Sequence, residues 1–181
     1  MHHISWILAA TVLASAPLAA QATDSAPVSP PAPAPKPTPK PTPTPAQQQY
    51  LDGLRTAGRG IAQLKDGIDR VGRNRADTAQ LRMAGQRLGG LCGSAGSFMR
   101  QGRARMSPTA YVDSARTLAR RLNQQVDSVI AFLPTCQREG GKQPTATAAT
   151  LVARLRSYEG ALQKFREVAV LAPTQATAPT P

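Results

Sequence analysis

From Pro31 to Pro45 every second residue is proline, PAPAPKPTPKPTPTP, and residues 27–45 hold ten prolines. Proline fixes φ and has no backbone N–H, so this stretch is expected to enter neither a helix interior nor a sheet, but to extend as polyproline II. At ~3.1 Å per residue it would reach roughly 60 Å. The folded part of the chain must therefore lie outside it.

Ahead of it stands MHHISWILAATVLASAPLAAQA, with an apolar run from Ile4 to about Ala20 and the small-x-small ending Ala20-Gln21-Ala22. This pattern reads as a signal peptide over residues 1–22, followed by a Pro-rich linker over 23–45. The alternation resembles the Pro-rich spacers of bacterial envelope proteins. His2 and His3 stand at the amino terminus without Lys or Arg, which leaves an uncleaved N-terminal anchor as the alternative. No cysteine follows the apolar run for acylation, and no later stretch approaches the ~20 apolar residues of a bilayer span. The mature chain is thus expected to lack a transmembrane span and to be periplasmic or secreted. Residues 172–181 share the Pro/Thr/Ala composition and are expected to be a short disordered tail.

Residues 46–171 suffice for one domain with a modest core. Their periodicity is helical. Leu54, Ala57, Ile61, Leu64, Ile68 and Val71 recur at spacings of three and four, which places Asp66 with Arg70 and Asp69 with Arg73 at i,i+4 on the outer face. A break near residues 72–77 follows, with Asp77 and Gln80 as N-cap and N3 partner. A second pattern runs through Leu81, Ala84, Leu88, Leu91, Ala95 and Phe98. Ser107-Pro108 is a helix-start signal for Ala115, Leu118, Leu122, Val126, Val129 and Leu133, and Pro134 is expected to stop that helix. Beyond the polar REGGKQPTAT, a last helix presents Leu151, Leu155, Tyr158, Leu162, Phe165 and Ala169. Strand signals are absent. The expectation is an all-α antiparallel bundle of three or four helices, with a Pro-rich arm and a short tail.

The mature chain has no histidine, since His2 and His3 are the only two. That excludes His-based acid–base catalysis, Ser-His and Cys-His pairs, His-ligated zinc and His-bound haem. No P-loop, EF-hand loop or G-x-S-x-G elbow occurs. Asp66 and Asp69 sit among Lys65, Arg70 and Arg73 and read as a solvated face. Glu159, within a turn of Arg156, reads as half of a surface ion pair. The chain is therefore expected to be non-enzymatic, with no cofactor and no metal.

GGLCGSAGSFMR, residues 89–100, resembles the surroundings of a papain-type nucleophile only in Cys92-Gly93-Ser94. With no histidine to generate a thiolate, and with export favouring oxidation, a disulfide from Cys92 to Cys136, the only other cysteine, is the better expectation. Two straight helices, 78–103 and 108–133, meeting near residue 105 would put Cys92 ~20 Å and Cys136 ~45 Å from the corner. Those lengths forbid a Cα separation below ~7 Å. Either the glycine-rich stretch 89–107 is partly extended and the bond closes, or Gly85, Gly89 and Gly93 line an intact helix and the cysteines stay free or pair between chains.

The formal charge of +12 draws anionic partners. The residues expected to bind them are Arg70, Arg73 and Arg75 in DRVGRNR, and Arg100, Arg103 and Arg105 in MRQGRARM, because planar guanidinium groups take carboxylate or phosphate oxygens in pairs. Nucleic acid is not expected as a specific partner, because few of the aromatic residues lie off the core faces. The expected function is an exported interaction or envelope-associated module for an anionic envelope component or acidic protein. The alternative is a bundle carrying a small apolar ligand in a core that Ala and Gly leave roomy.

Overall fold

The computed structural model describes residues 42–169, which form four α-helices: α1 (Pro45–Arg73), α2 (Thr78–Arg105), α3 (Asp113–Glu139) and α4 (Pro144–Ala169). The expected signal peptide, the expected arm up to residue 41 and the expected C-terminal tail lie outside the described residues. Antiparallel pairing follows from register. Gly53, Gly60 and Gly67 of α1 face Gly102, Ala95 and Leu88 of α2 in reverse order, Arg103 and Cys92 of α2 face Asp127 and Cys136 of α3, and Lys65 of α1 faces Glu159 of α4. The bundle is four-membered and up-down-up-down. Its proximal end is where α1 begins, and its distal end carries the α1–α2 and α3–α4 turns.

The last proline of the alternating run belongs to α1 rather than to the linker. Pro45 occupies the first turn, where its missing N–H has no partner to lose, and Thr44 caps the helix in a reciprocal box with Gln47. Asp77 caps α2 as its spacing to Gln80 predicts, accepting from the amides of Ala79 and Gln80 at 2.8 and 3.0 Å.

Glycine decides how α1 and α2 pack. A Cβ on Gly60 would lie 2.7 Å from the carbonyl oxygen of Ala95, and Gly53 and Gly102 crowd each other's backbone in the same way. Recurrence at every seventh residue, 53, 60, 67 against 88, 95, 102, keeps this close seam on one face over two heptads. On its other side α2 brings Gly85 against the backbone of Gly140, at the end of α3. The space left by small residues is thus occupied by neighbouring backbone.

Three expectations about α2 and α3 need correction. First, α2 runs unbroken through all its glycines to Arg105, and yet Cys92 and Cys136 are joined within the chain, with Cα atoms 6.1 Å apart. The two helices do not meet at residue 105. Residues 106–112 carry the chain past the end of α2, a distance that four non-helical residues and a three-residue 3-10 turn can make as large as ~19 Å. Asp127, fourteen residues after the start of α3, consequently lies opposite Arg103, and the cysteines come level. Second, Ser107-Pro108 opens only a 3-10 turn, Pro108–Ala110, with the Ser107 hydroxyl bonded to Thr109 rather than capping. Met106 and Tyr111 are drawn into the core on either side of that turn, and α3 starts at Asp113 in a left-handed conformation (φ 47°) that Asp tolerates. Third, Pro134 lies inside α3 and does not end it. A helix-interior proline costs about 3 kcal/mol. Burial of Leu133 and Cys136 on the core face, with the covalent tie to α2, offsets that cost.

The core runs the length of the bundle through Leu64, Leu88, Met99, Leu122, Val126, Val129 and Leu151. At the proximal end Tyr50, Tyr111 and Phe165 meet with ring centroids 5.1–5.3 Å apart. Asn123, buried there, donates to the Met106 carbonyl at 2.7 Å and accepts from the Tyr50 hydroxyl at 3.1 Å. No helix among the described residues is long and apolar enough to cross a membrane.

Candidate functional site: an arginine-rimmed cleft at the distal end

The first arginine cluster lies at the end of α1, where that helix leaves the bundle for the turn to α2. Asn74 closes the helix by donating to the Arg70 carbonyl at 2.7 Å. Arg70 is occupied: its Nε lies 2.9 Å from Asp66, as the i,i+4 spacing predicts. The companion pair expected between Asp69 and Arg73 does not close, and both side chains remain exposed beside a cleft of about 600 Å³ between α1 and α4.

Ile68 and Gly72 of α1 and Ala148, Ala149, Val152 and Ala153 of α4 make the apolar floor of this cleft. Its rim carries Arg73, Arg75 and Arg156 against the single carboxylate of Asp69. Arg156 is available because Glu159, the partner expected for it, reaches across to Lys65 of α1 instead. Lys65 lies on the neighbouring helix, so sequence spacing favoured the local arginine. No ion pair among the described residues engages Arg73, Arg75 or Arg156. Arg73 also borders a second cleft of about 180 Å³, shared with Arg70, Arg87 and the exposed Met83.

The second cluster is dispersed by its surroundings. Arg103 forms a two-pronged bond to Asp127, Nε to Oδ1 at 2.8 Å and Nη2 to Oδ2 at 3.0 Å, tying α2 to α3. Arg100 folds back along α2, with Nη1 only 3.1 Å from where a Cβ on Gly96 would stand. Arg105 is exposed at the proximal side of the α1–α2 seam. The structure thus gathers Arg73 and Arg75 with Arg156 and, across α2, Arg87. It does not bring the first cluster together with Arg100, Arg103 and Arg105.

Arg156, two residues after Arg154, was assigned by its spacing to a local pair with Glu159, and Arg87 stands alone in mid-helix with no arginine within four residues to mark it. A faint signal for Arg156 does exist. Beside its core stripe, α4 carries a second run of small apolar residues, Ala148, Ala149, Val152 and Ala153, that ends at Arg156.

Several other titratable groups have partners within the bundle. Asp52 pairs with Arg55, Glu139 with Lys142, and Glu167 accepts from Gln163. Tyr50, Tyr111 and Tyr158 are buried, which pushes all three phenols up, Tyr111 to about 12. Among the described residues, burial of these rings and of Phe165 leaves Phe98 and Phe132 as the partly exposed aromatic residues, and Arg154 covers Phe132 at 5.2 Å. Comparison with family models, curated proteins and solved structures finds no match for this chain.

Proposed function

We propose that the chain is an exported, non-enzymatic interaction module of the bacterial envelope, carried on its Pro-rich arm, which holds an acidic partner at the distal end of the bundle. The observation that carries this reading is the convergence of Arg73, Arg75 and Arg156, exposed and without ion-pair partners, over an apolar floor. Guanidinium groups so placed offer paired donors to carboxylate or phosphate. The excess of 22 basic over 10 acidic residues adds a long-range attraction for such a partner. Placement outside the cytoplasm draws support from the Cys92–Cys136 disulfide, a bond that persists in oxidising compartments. Arg100 and Arg105 are secondary contacts in this reading, and Arg103 serves the α2–α3 contact.

Retention of the purified exported chain on envelope material from its source is expected to fall steeply as salt is raised, because screening shortens the reach of exposed charges to ~10 Å at 0.1 M. The triple variant Arg73→Glu, Arg75→Glu, Arg156→Glu should elute at markedly lower salt. Retention independent of salt would overturn the proposal.

A further inference from the structure

The distal cleft has a direction. Its floor positions recur one turn apart on both walls, Ile68 and Gly72 on α1 and Ala148 and Val152 on α4, so the floor runs parallel to the two helix axes. Register places Arg75 level with Ala149 in the second turn of α4, while Arg156 lies about two turns, roughly 10 Å, nearer the Lys65–Glu159 pair. Guanidinium groups therefore stand at both ends of an apolar strip two turns long.

The trough is open to solvent, with Gly72, Ala149 and Ala153 exposed along it. A small molecule lying there would leave much of its surface wet, whereas small-molecule sites enclose most of their ligand. A flat bilayer surface does not follow a concave strip. A helix does, laid along the groove with its apolar face down, and the small side chains of the floor permit a close approach. We infer that the α1–α4 trough docks an acidic amphipathic helix of a partner protein, with carboxylates about two turns apart meeting Arg73 and Arg75 at one end and Arg156 at the other. This rests on the acidic-partner reading above and names the class of that partner.

The test is a titration of the isotope-labelled exported chain, followed by amide chemical shifts. The probes are a synthetic amphipathic peptide of about four turns, Leu and Ala on one face and Glu two turns apart, and the same peptide with Lys for Glu. Phosphatidylglycerol vesicles and dodecyl phosphate form two further arms. The Glu peptide should shift the amides around Gly72 and Val152, and the Lys peptide should not. The double variant R73E/R156E should weaken the Glu peptide at least tenfold and gain affinity for the Lys peptide. Gly72→Leu, at a site where an added Cβ meets nothing within 4 Å, should block the trough and abolish the peptide shifts. A Glu peptide that leaves these amides unmoved, or localised shifts seen only with vesicles or dodecyl phosphate, would overturn the inference. If salt-dependent retention survives that result, the helix docking alone falls; if retention is lost as well, both readings fall.

Discussion

At the scale of single residues, glycine has opposite effects at different points of one helix pair. Gly60 is held against the Ala95 carbonyl, so Gly60→Ala should destabilise the bundle by roughly 1–3 kcal/mol through overpacking. Gly90 lies exposed in the interior of α2 with nothing near its missing Cβ, so Gly90→Ala should stabilise by about 1 kcal/mol. Urea unfolding of the two variants measures both, and equal midpoints would deny the close α1–α2 seam. Asn123 is the polar counterpart. Asn123→Ala leaves the buried Met106 carbonyl without its donor, at an expected cost of about 1–3 kcal/mol in the same assay. The buried tyrosines set an alkaline limit. Their folded pKa values are raised above the ordinary 10.0, so the stability they contribute is fully present below pH 10 and is lost as pH rises toward the folded value, about 12 for Tyr111. The melting temperature should therefore begin to fall above pH 10 along with tyrosinate absorbance, and Tyr111→Phe should reduce that fall.

At the scale of elements, the disulfide secures the part of α3 that sequence rules would end at Pro134. Closing the loop between Cys92 and Cys136, 44 residues apart in sequence, is worth about 4 kcal/mol on the entropic model. Reduction should cost about that much, and the amides of residues 135–139 should lose hydrogen-exchange protection before those of residues 119–130. Uniform loss would show that α3 is held there by packing alone. The stripes of α1, α2 and α4 were legible because a buried face repeats every 3.6 residues whatever it packs against, and Asp77 was legible because a cap is local. The start of α3 was not. Ser107-Pro108 is a sound local signal that lost to the burial of Met106 and Tyr111, which pull the link into the core. Passage of α3 through Pro134 was hidden for a similar reason, since the compensating tie lies 44 residues away on α2.

At the scale of the whole molecule, the site is assembled from parts that sequence neighbourhood cannot rank. Composition shows the positive charge, but only the fold shows which carboxylates absorb it. Asp66 holds Arg70, Asp127 holds Arg103 and Glu159 holds Lys65, which leaves Arg73, Arg75 and Arg156 unpaired around one cleft, while other unpaired arginines such as Arg59, Arg120 and Arg121 stand apart from it. The central claim is that this location, rather than net charge alone, determines binding. It is tested most directly by comparing two variants of equal charge for retention on source envelope material at fixed salt: R73E/R75E/R156E at the cleft, and R59E/R120E/R121E at exposed sites on α1 and α3. Loss of retention by at least tenfold in the first, with the second close to the unmodified chain, is the result predicted here. Equal losses in both would contradict a distal binding site and reduce the interaction to unspecific attraction.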